Sequence, residues 1–124
     1  MMKILVVDDN IEIRETISFY CEAKGIQCIV ISNGLEGLKE IRKNSYDLIL
    51  LDVAMPTYSG IDVINSLKNE GLLASKNIVI FTASSDPKTL YDLTNSGVKG
   101  IFRKPGSLEK LADLITRYSP EKND

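Results

Sequence analysis

Short apolar runs and longer stretches with helical apolar spacing alternate five times along this chain. The runs are Ile4-Leu5-Val6-Val7, Ile29-Val30-Ile31, Leu48-Ile49-Leu50-Leu51, Ile78-Val79-Ile80-Phe81 and Ile101-Phe102. Their branched side chains suit extended backbone. Their continuous apolarity, without alternation, predicts strands buried on both faces. Between them, Ile13-Ile17-Tyr20-Cys21, Leu35-Leu38-Ile41, Ile61-Ile64-Leu67, Leu90-Leu93 and Leu108-Leu111-Ala112-Ile115 carry the spacing of one-sided helices. Asn10, Asp86 and Ser107 are expected helix N-caps, Pro87 fits a first helical turn, and Gly25, Gly71 and Gly97 fit positions just past helix ends. Strands joined by helices of this length cross over right-handedly into a parallel sheet. The expected fold class is α/β: a doubly wound, five-stranded parallel sheet covered on both faces.

Composition narrows the function. With 124 residues, 44% hydrophobic and 26% charged, the chain suits a single soluble domain over residues 1–124. Its core is expected over 3–118, with SPEKND at 119–124 as a polar tail. A net charge of −2 leaves no basic footprint, so neither direct nucleic-acid binding nor docking on anionic lipid is expected. No apolar run approaches the roughly 18–20 residues of a membrane span. The start MMKILVV turns acidic too soon for a signal peptide, so a cytoplasmic protein without membrane insertion is expected. Cys21 and Cys28 lack the histidine or further cysteines a zinc site would need and are expected to be buried free thiols.

In open parallel sheets, ligands bind beyond the carboxyl ends of the strands. There the sequence places Asp8 and Asp9 after the first strand, Asp52 after the third, Thr82 after the fourth and Lys104 beside the fifth. Singly each has an ordinary explanation: a loop acid, a turn residue before Met55-Pro56, a helix cap, a surface charge. Together they do not. Three carboxylates at the rim of an apolar sheet repel one another unless a cation neutralises them. Oxygen ligands of that charge density suit Mg²⁺ better than zinc or copper. A carboxylate held among a metal, a lysine and a hydroxyl suggests phosphoryl transfer with Asp52 as nucleophile, its charge balanced by the metal and Lys104 and a hydrogen bond given by Thr82.

Four segments in order, VVDDN at 6–10, LLDVAMPTYSG at 50–60, FTAS at 81–84 and RKP at 103–105, resemble the signature of response-regulator receiver domains, the CheY-like phosphoacceptors of two-component signalling. The likeness runs from Lys3 to Tyr118. It implies the flavodoxin-like strand order 2-1-3-4-5 and Mg²⁺-dependent acceptance of a phosphoryl group from a histidine-kinase phosphohistidine onto Asp52. It further implies that Asp9 ligates Mg²⁺ directly, Asp8 mainly through water, and Ala54 through its backbone carbonyl. Thr82 and the N–H groups of Ala54 and Ala83 would meet the phosphoryl oxygens, Lys104 would form the ion pair, and the Lys104–Pro105 peptide would be cis. The implied partners are a sensor histidine kinase or phosphotransfer protein, and a downstream effector on the face of the fourth helix, fifth strand and fifth helix. The chain would then be a signalling phosphoacceptor that catalyses its own phosphotransfer and autodephosphorylation, not an enzyme acting on other substrates.

The chain departs from that pattern in three places. Ile101 stands where an aromatic is usual, and Phe102, one place later, should point the opposite way into the core. Gly106 replaces a bulky residue after the Lys-Pro pair, so the fifth helix is open to a different start. Ala54 and Ser84 are small, which should leave the phosphoryl group open to water. Against a flavin carrier, Asp8 and Asp9 would repel the flavin phosphate. A haloacid-dehalogenase-type phosphatase carries its nucleophile after the first strand in a D-x-D pattern and has a second domain, and this chain has neither. A degenerate receiver would not keep every charged site residue. Both a stand-alone receiver and one cut from a longer regulator fit the sequence, the first better.

Overall fold

The computed structural model describes residues 1–83, 86–104 and 106–120. Strand and helix alternate as β1 (Lys3–Val7), α1 (Ile11–Ala23), β2 (Gln27–Ile31), α2 (Gly34–Lys43), β3 (Leu48–Asp52), α3 (Gly60–Asn69), β4 (Ile78–Thr82), α4 (Pro87–Thr94), β5 (Gly100–Arg103) and α5 (Leu108–Arg117). A 3₁₀ turn at Leu73–Ser75 precedes β4. All pairings are parallel, in the order β2-β1-β3-β4-β5. The chain reverses its direction of growth between β1 and β3, so those two carboxyl ends flank the switch point.

Alternation along the strands splits the core into two layers. Leu5, Val7, Ile49, Leu51, Ile78 and Ile80 meet α2 and α3 through Leu38, Ile41, Val63, Ile64 and Leu67. Ile4, Val6, Leu48, Leu50, Val79 and Phe81 meet α1 and α5 through Ile17, Cys21, Leu111, Leu114 and Ile115. Burial on both faces holds for β1 from Ile4, for β3 and for β4, but not for the outer strands. In β2 Gln27 and Val30 are exposed and the rest half-buried, and β5 is at most half-buried. An edge strand has a neighbour on one side only, and apolar composition does not reveal position in a sheet. The helical stripes are also rotated slightly from expectation. Leu35, Ile61 and Leu108 face solvent, while Val63 and Leu114 take core positions.

Helix punctuation follows the sequence. The Asn10 side chain accepts from the Glu12 and Ile13 N–H groups at 2.9 and 3.2 Å, Asp86 from Thr89 at 3.2 Å, and Ser107 from Lys110 at 3.1 Å. Each satisfies a backbone donor that the helix cannot pair internally. α5 therefore starts at Leu108 behind its Ser107 cap despite Gly106. Asn33 and Ser59 cap α2 and α3 as well, Ser59 in a reciprocal box with Asp62. Gly60 lets α3 begin directly against β3, since a Cβ there would lie 2.2 Å from the Asp52 carbonyl oxygen. Cys21 is buried and Cys28 half-buried, both as free thiols. Among the described residues no helix is long and apolar enough to cross a membrane.

Candidate functional site

Asp8 continues the β1 ladder by one bond, its N–H donating to the Ile31 carbonyl at 3.0 Å. Although its side chain is polar, it is as buried as the strand before it, at 1% exposure. Its Oδ1 accepts from the Asn10 N–H at 2.9 Å, and its Oδ2 accepts from Lys104 Nζ at 2.7 Å. Arg14 Nη1 donates to the Asp8 carbonyl at 2.8 Å and ties the first turn of α1 to the strand end. Asp9 is exposed. Asp52, the last residue of β3, is 5% exposed. Its Oδ1 accepts from the Ala54 N–H at 3.2 Å and lies 3.6 Å from Lys104 Nζ.

Carboxylate oxygens of Asp8, Asp9 and Asp52 lie within 4.8 Å of one another. Among the described residues, Lys104 is the cation paired with the carboxylates of both Asp8 and Asp52, while Arg14 meets only the Asp8 backbone carbonyl. Its own N–H donates to the Thr82 carbonyl at 2.7 Å, which carries the β4–β5 pairing one step past the strand. The Phe81 ring lies beside it, 5.0 Å from Nζ to the centroid. Thr82 ends β4 with 1% exposure. Ala83 follows it at the surface, and Ala54 is exposed two residues beyond Asp52.

Burial, and after it the Asp8 charge, lifts the Asp52 carboxyl above its ordinary range; Lys104 and the Ala54 N–H pull the other way, and Asp9 adds a smaller upward push. The cluster thus holds more negative charge than its lysine balances. An all-oxygen set with surplus negative charge, one member open to solvent, fits a hard divalent cation such as Mg²⁺.

The topology brings Asp8, Asp9, Asp52 and Lys104 together as the strand ends suggested, with Thr82 on the adjoining strand. Sequence reasoning did not find Arg14, whose only signal is a basic residue in the first turn after the acids. Nor did it find the strain at Thr57, where φ is +70° and the Tyr58 N–H bonds back to the Pro56 carbonyl at 2.8 Å. A β-branched residue in a γ-turn of this hand is uncommon. The expected cis Lys104–Pro105 bond and the small Ser84 lie outside the described residues. Ile101 and Phe102 point to opposite layers, as alternation requires. Ile101 packs with the α2/α3 layer, while Phe102 joins the α1/α5 layer and meets Phe81 edge-on at 5.1 Å.

The family model described as the response regulator receiver domain matches residues 4–116. The chain is 37% identical over 123 residues to hybrid signal transduction histidine kinase G of Dictyostelium discoideum, covering 96% of this chain and 4% of that protein. It is 30% identical over 124 residues to sporulation initiation phosphotransferase F of Bacillus subtilis, covering 98% of this chain and 97% of that one. The structure of response regulator TrrA of Thermotoga maritima, solved in complex with Mg²⁺ and BeF, superposes with a TM-score of 0.80 at 28% identity, over 96% of this chain and 100% of that one. With its fold, its strand-end acids and a family match over nearly its whole length, the chain belongs to the response-regulator receiver domains.

Proposed function

We propose that Asp52 is the phosphoacceptor of this receiver and takes its phosphoryl group from a phosphohistidine on a kinase or phosphotransfer protein. One observation carries the reading: a buried carboxylate at the end of β3 is contacted by Lys104 and shares its space with Asp8 and Asp9. Asp8, Asp9, Asp52 and the Ala54 carbonyl would hold Mg²⁺, which when bound supplies positive charge to the oxygens of the transferred group. Among the described residues the Ala54 N–H and Lys104 both meet Asp52 at Oδ1, which leaves Oδ2 as the oxygen to attack. The new O–P bond forms as the P–N bond to the donor imidazole breaks, and the imidazole keeps the electron pair and takes up a proton. The Lys104 ammonium offsets charge on the phosphoryl oxygens, while the Thr82 hydroxyl and the Ala54 and Ala83 N–H groups donate to them. Loss of the group by water attack at phosphorus returns the aspartate, so the protein is a self-resetting phosphoacceptor.

Incubation with acetyl phosphate and Mg²⁺ tests this. One phosphoryl group per chain by intact mass is expected, with none in Asp52→Asn. Undiminished labelling of that variant contradicts the assignment.

Phosphate relay suits the chain better than switching an effector on the α4–β5–α5 face. Ile101 is a branched residue with few χ1 states packed in the α2/α3 layer, so it has little freedom to report on Thr82. A relative whose length the chain nearly spans, sporulation initiation phosphotransferase F, is named a phosphotransferase. NMR mapping with beryllofluoride should give large shifts at residues 52–60 and 82–88 and small ones at 90–103. Equally large shifts over 90–103 would remove the preference for relay.

A further inference from the structure

Cys21 stands in the last turn of α1, and Cys28 is the second residue of β2. The chain between them turns back through Gly25, whose φ is +70°, and the Ile26 N–H donates to the Cys21 carbonyl at 2.8 Å. This closes the helix end against the strand, and both cysteines enter the α1/α5 layer of the core. Their thiols meet there, hydrogen-bonded to each other. Cys28 pairs in register with Ile4, near the start of β1, so the thiols sit at the opposite end of the sheet from Asp8. Cys21 is 0% exposed, whereas Cys28 is half-buried on an edge strand.

Two thiols in contact can do what a single one cannot. A disulfide demands that its sulfurs already be neighbours, because the bond tolerates little distortion of the backbone that carries it. A contact between thiols held by a helix end and a parallel ladder meets that demand before any oxidation. The contact also eases loss of a proton. The hydrogen bond from Cys28 holds the Cys21 thiol below its ordinary range, although burial opposes it, and the thiolate is the form that reacts. We propose that Cys21 and Cys28 form a reversible intramolecular disulfide, a modification site for hydroperoxides in which Cys28 meets the oxidant and Cys21 resolves it. Cys28 takes the first role because it is the sulfur nearer solvent. With the pair's remaining proton passed to Cys21 along the hydrogen bond, the Cys28 thiolate attacks one peroxide oxygen. An S–O bond forms, the O–O bond breaks, and the departing hydroxide takes up the proton that the pair released. The Cys21 sulfur then displaces hydroxide from the sulfenic acid. The S–S bond forms as the S–O bond breaks, and the Cys21 proton leaves with the hydroxide as water. The two sulfurs lose two electrons and the peroxide gains them. A dithiol reductant returns both thiols by exchange and is itself oxidised to a disulfide.

The test treats the folded chain with a small excess of hydrogen peroxide, alkylates any remaining thiol, and reads intact mass and peptides. The expected result is loss of two hydrogens, a peptide pair linked through Cys21 and Cys28, and return of both alkylatable thiols on addition of dithiothreitol. Two alkylated thiols after peroxide, a disulfide between two copies of the chain, or Cys28 carried on to sulfinic acid overturns the proposal. Dimedone, which traps sulfenic acid, separates the two roles. Present during oxidation, it should modify Cys28 in Cys21→Ala about tenfold more than in the unmodified chain, where Cys21 reaches the sulfenic acid first. Equal trapping in the two, or trapping of Cys21 in Cys28→Ala, overturns the assignment of roles. Cys21→Ser gives the same reading should the alanine variant not fold, and the linked peptide pair is decided on the unmodified chain without any variant.

Discussion

The strands β1, β3 and β4 have two regions of equal burial and opposite chemistry. Through Ile4–Val7, Leu48–Leu51 and Ile78–Phe81 they bury apolar side chains in both layers, and one residue later they bury Asp8, Asp52 and Thr82 just as deeply. The interior gains stability from each methylene removed from water, at roughly 25 cal/mol per Å². The ends lose it, because desolvation and a neighbouring carboxylate both disfavour the charge on Asp52. The sheet interior thus supplies the stability that holds a repelling cluster in place, and the cluster supplies the reactivity.

That contrast predicts opposite responses to substitution. The largest effect on stability is expected in the interior. Leu50→Ala, in mid-β3 at 1% exposure, should lower the unfolding free energy by about 2–5 kcal/mol, read from a urea titration, while protein that remains folded still labels with acetyl phosphate. A loss below about 1 kcal/mol would mean that the α1/α5 layer relaxes around the gap. At the ends the sign reverses. Mg²⁺ should stabilise the unmodified protein, by about 2.7 kcal/mol at a hundredfold excess over its Kd. Asp9→Asn should lose most of that gain while keeping or increasing its metal-free stability. A clear loss of metal-free stability would instead make Asp9 a structural residue.

The smallest effect is on pH dependence. An unfolded aspartate titrates near 3.8, and Asp52 in the fold titrates above that value. Between the two values the folded chain binds more protons than the unfolded one, so stability falls as pH rises through the folded value. Urea midpoints of metal-free protein across this window should fall with pH less steeply in Asp52→Asn than in the unmodified chain. Parallel slopes would contradict a raised Asp52.

The same contrast explains what could be read in advance. Uninterrupted apolar runs mark strands, and parallel crossovers bring their carboxyl ends to one edge, so Asp8, Asp9, Asp52, Thr82 and Lys104 could be gathered from order alone. Exposure in β2 and β5 was not legible, because a run such as Ile29-Val30-Ile31 does not say whether it has one neighbour or two. Nor was the phase of the helices. Leu108 satisfies the α5 spacing yet faces solvent, since the direction of the stripe depends on where the helix meets the sheet. Thr57 gave no sign of its positive φ because its residue type argues against one. Gly106 was visible as a departure, but its complement, the Phe102 ring, is a contact that only packing reveals.

Chemical trapping tests the account most directly. Aspartyl phosphate formed with acetyl phosphate and Mg²⁺ is reduced by borohydride to homoserine, and peptide sequencing by mass spectrometry locates the reduced residue. Homoserine at position 52 alone is the predicted result. Homoserine at position 8 or 9, or none in protein shown to be folded and supplied with Mg²⁺, would contradict the assignment of Asp52 as the group that accepts phosphate.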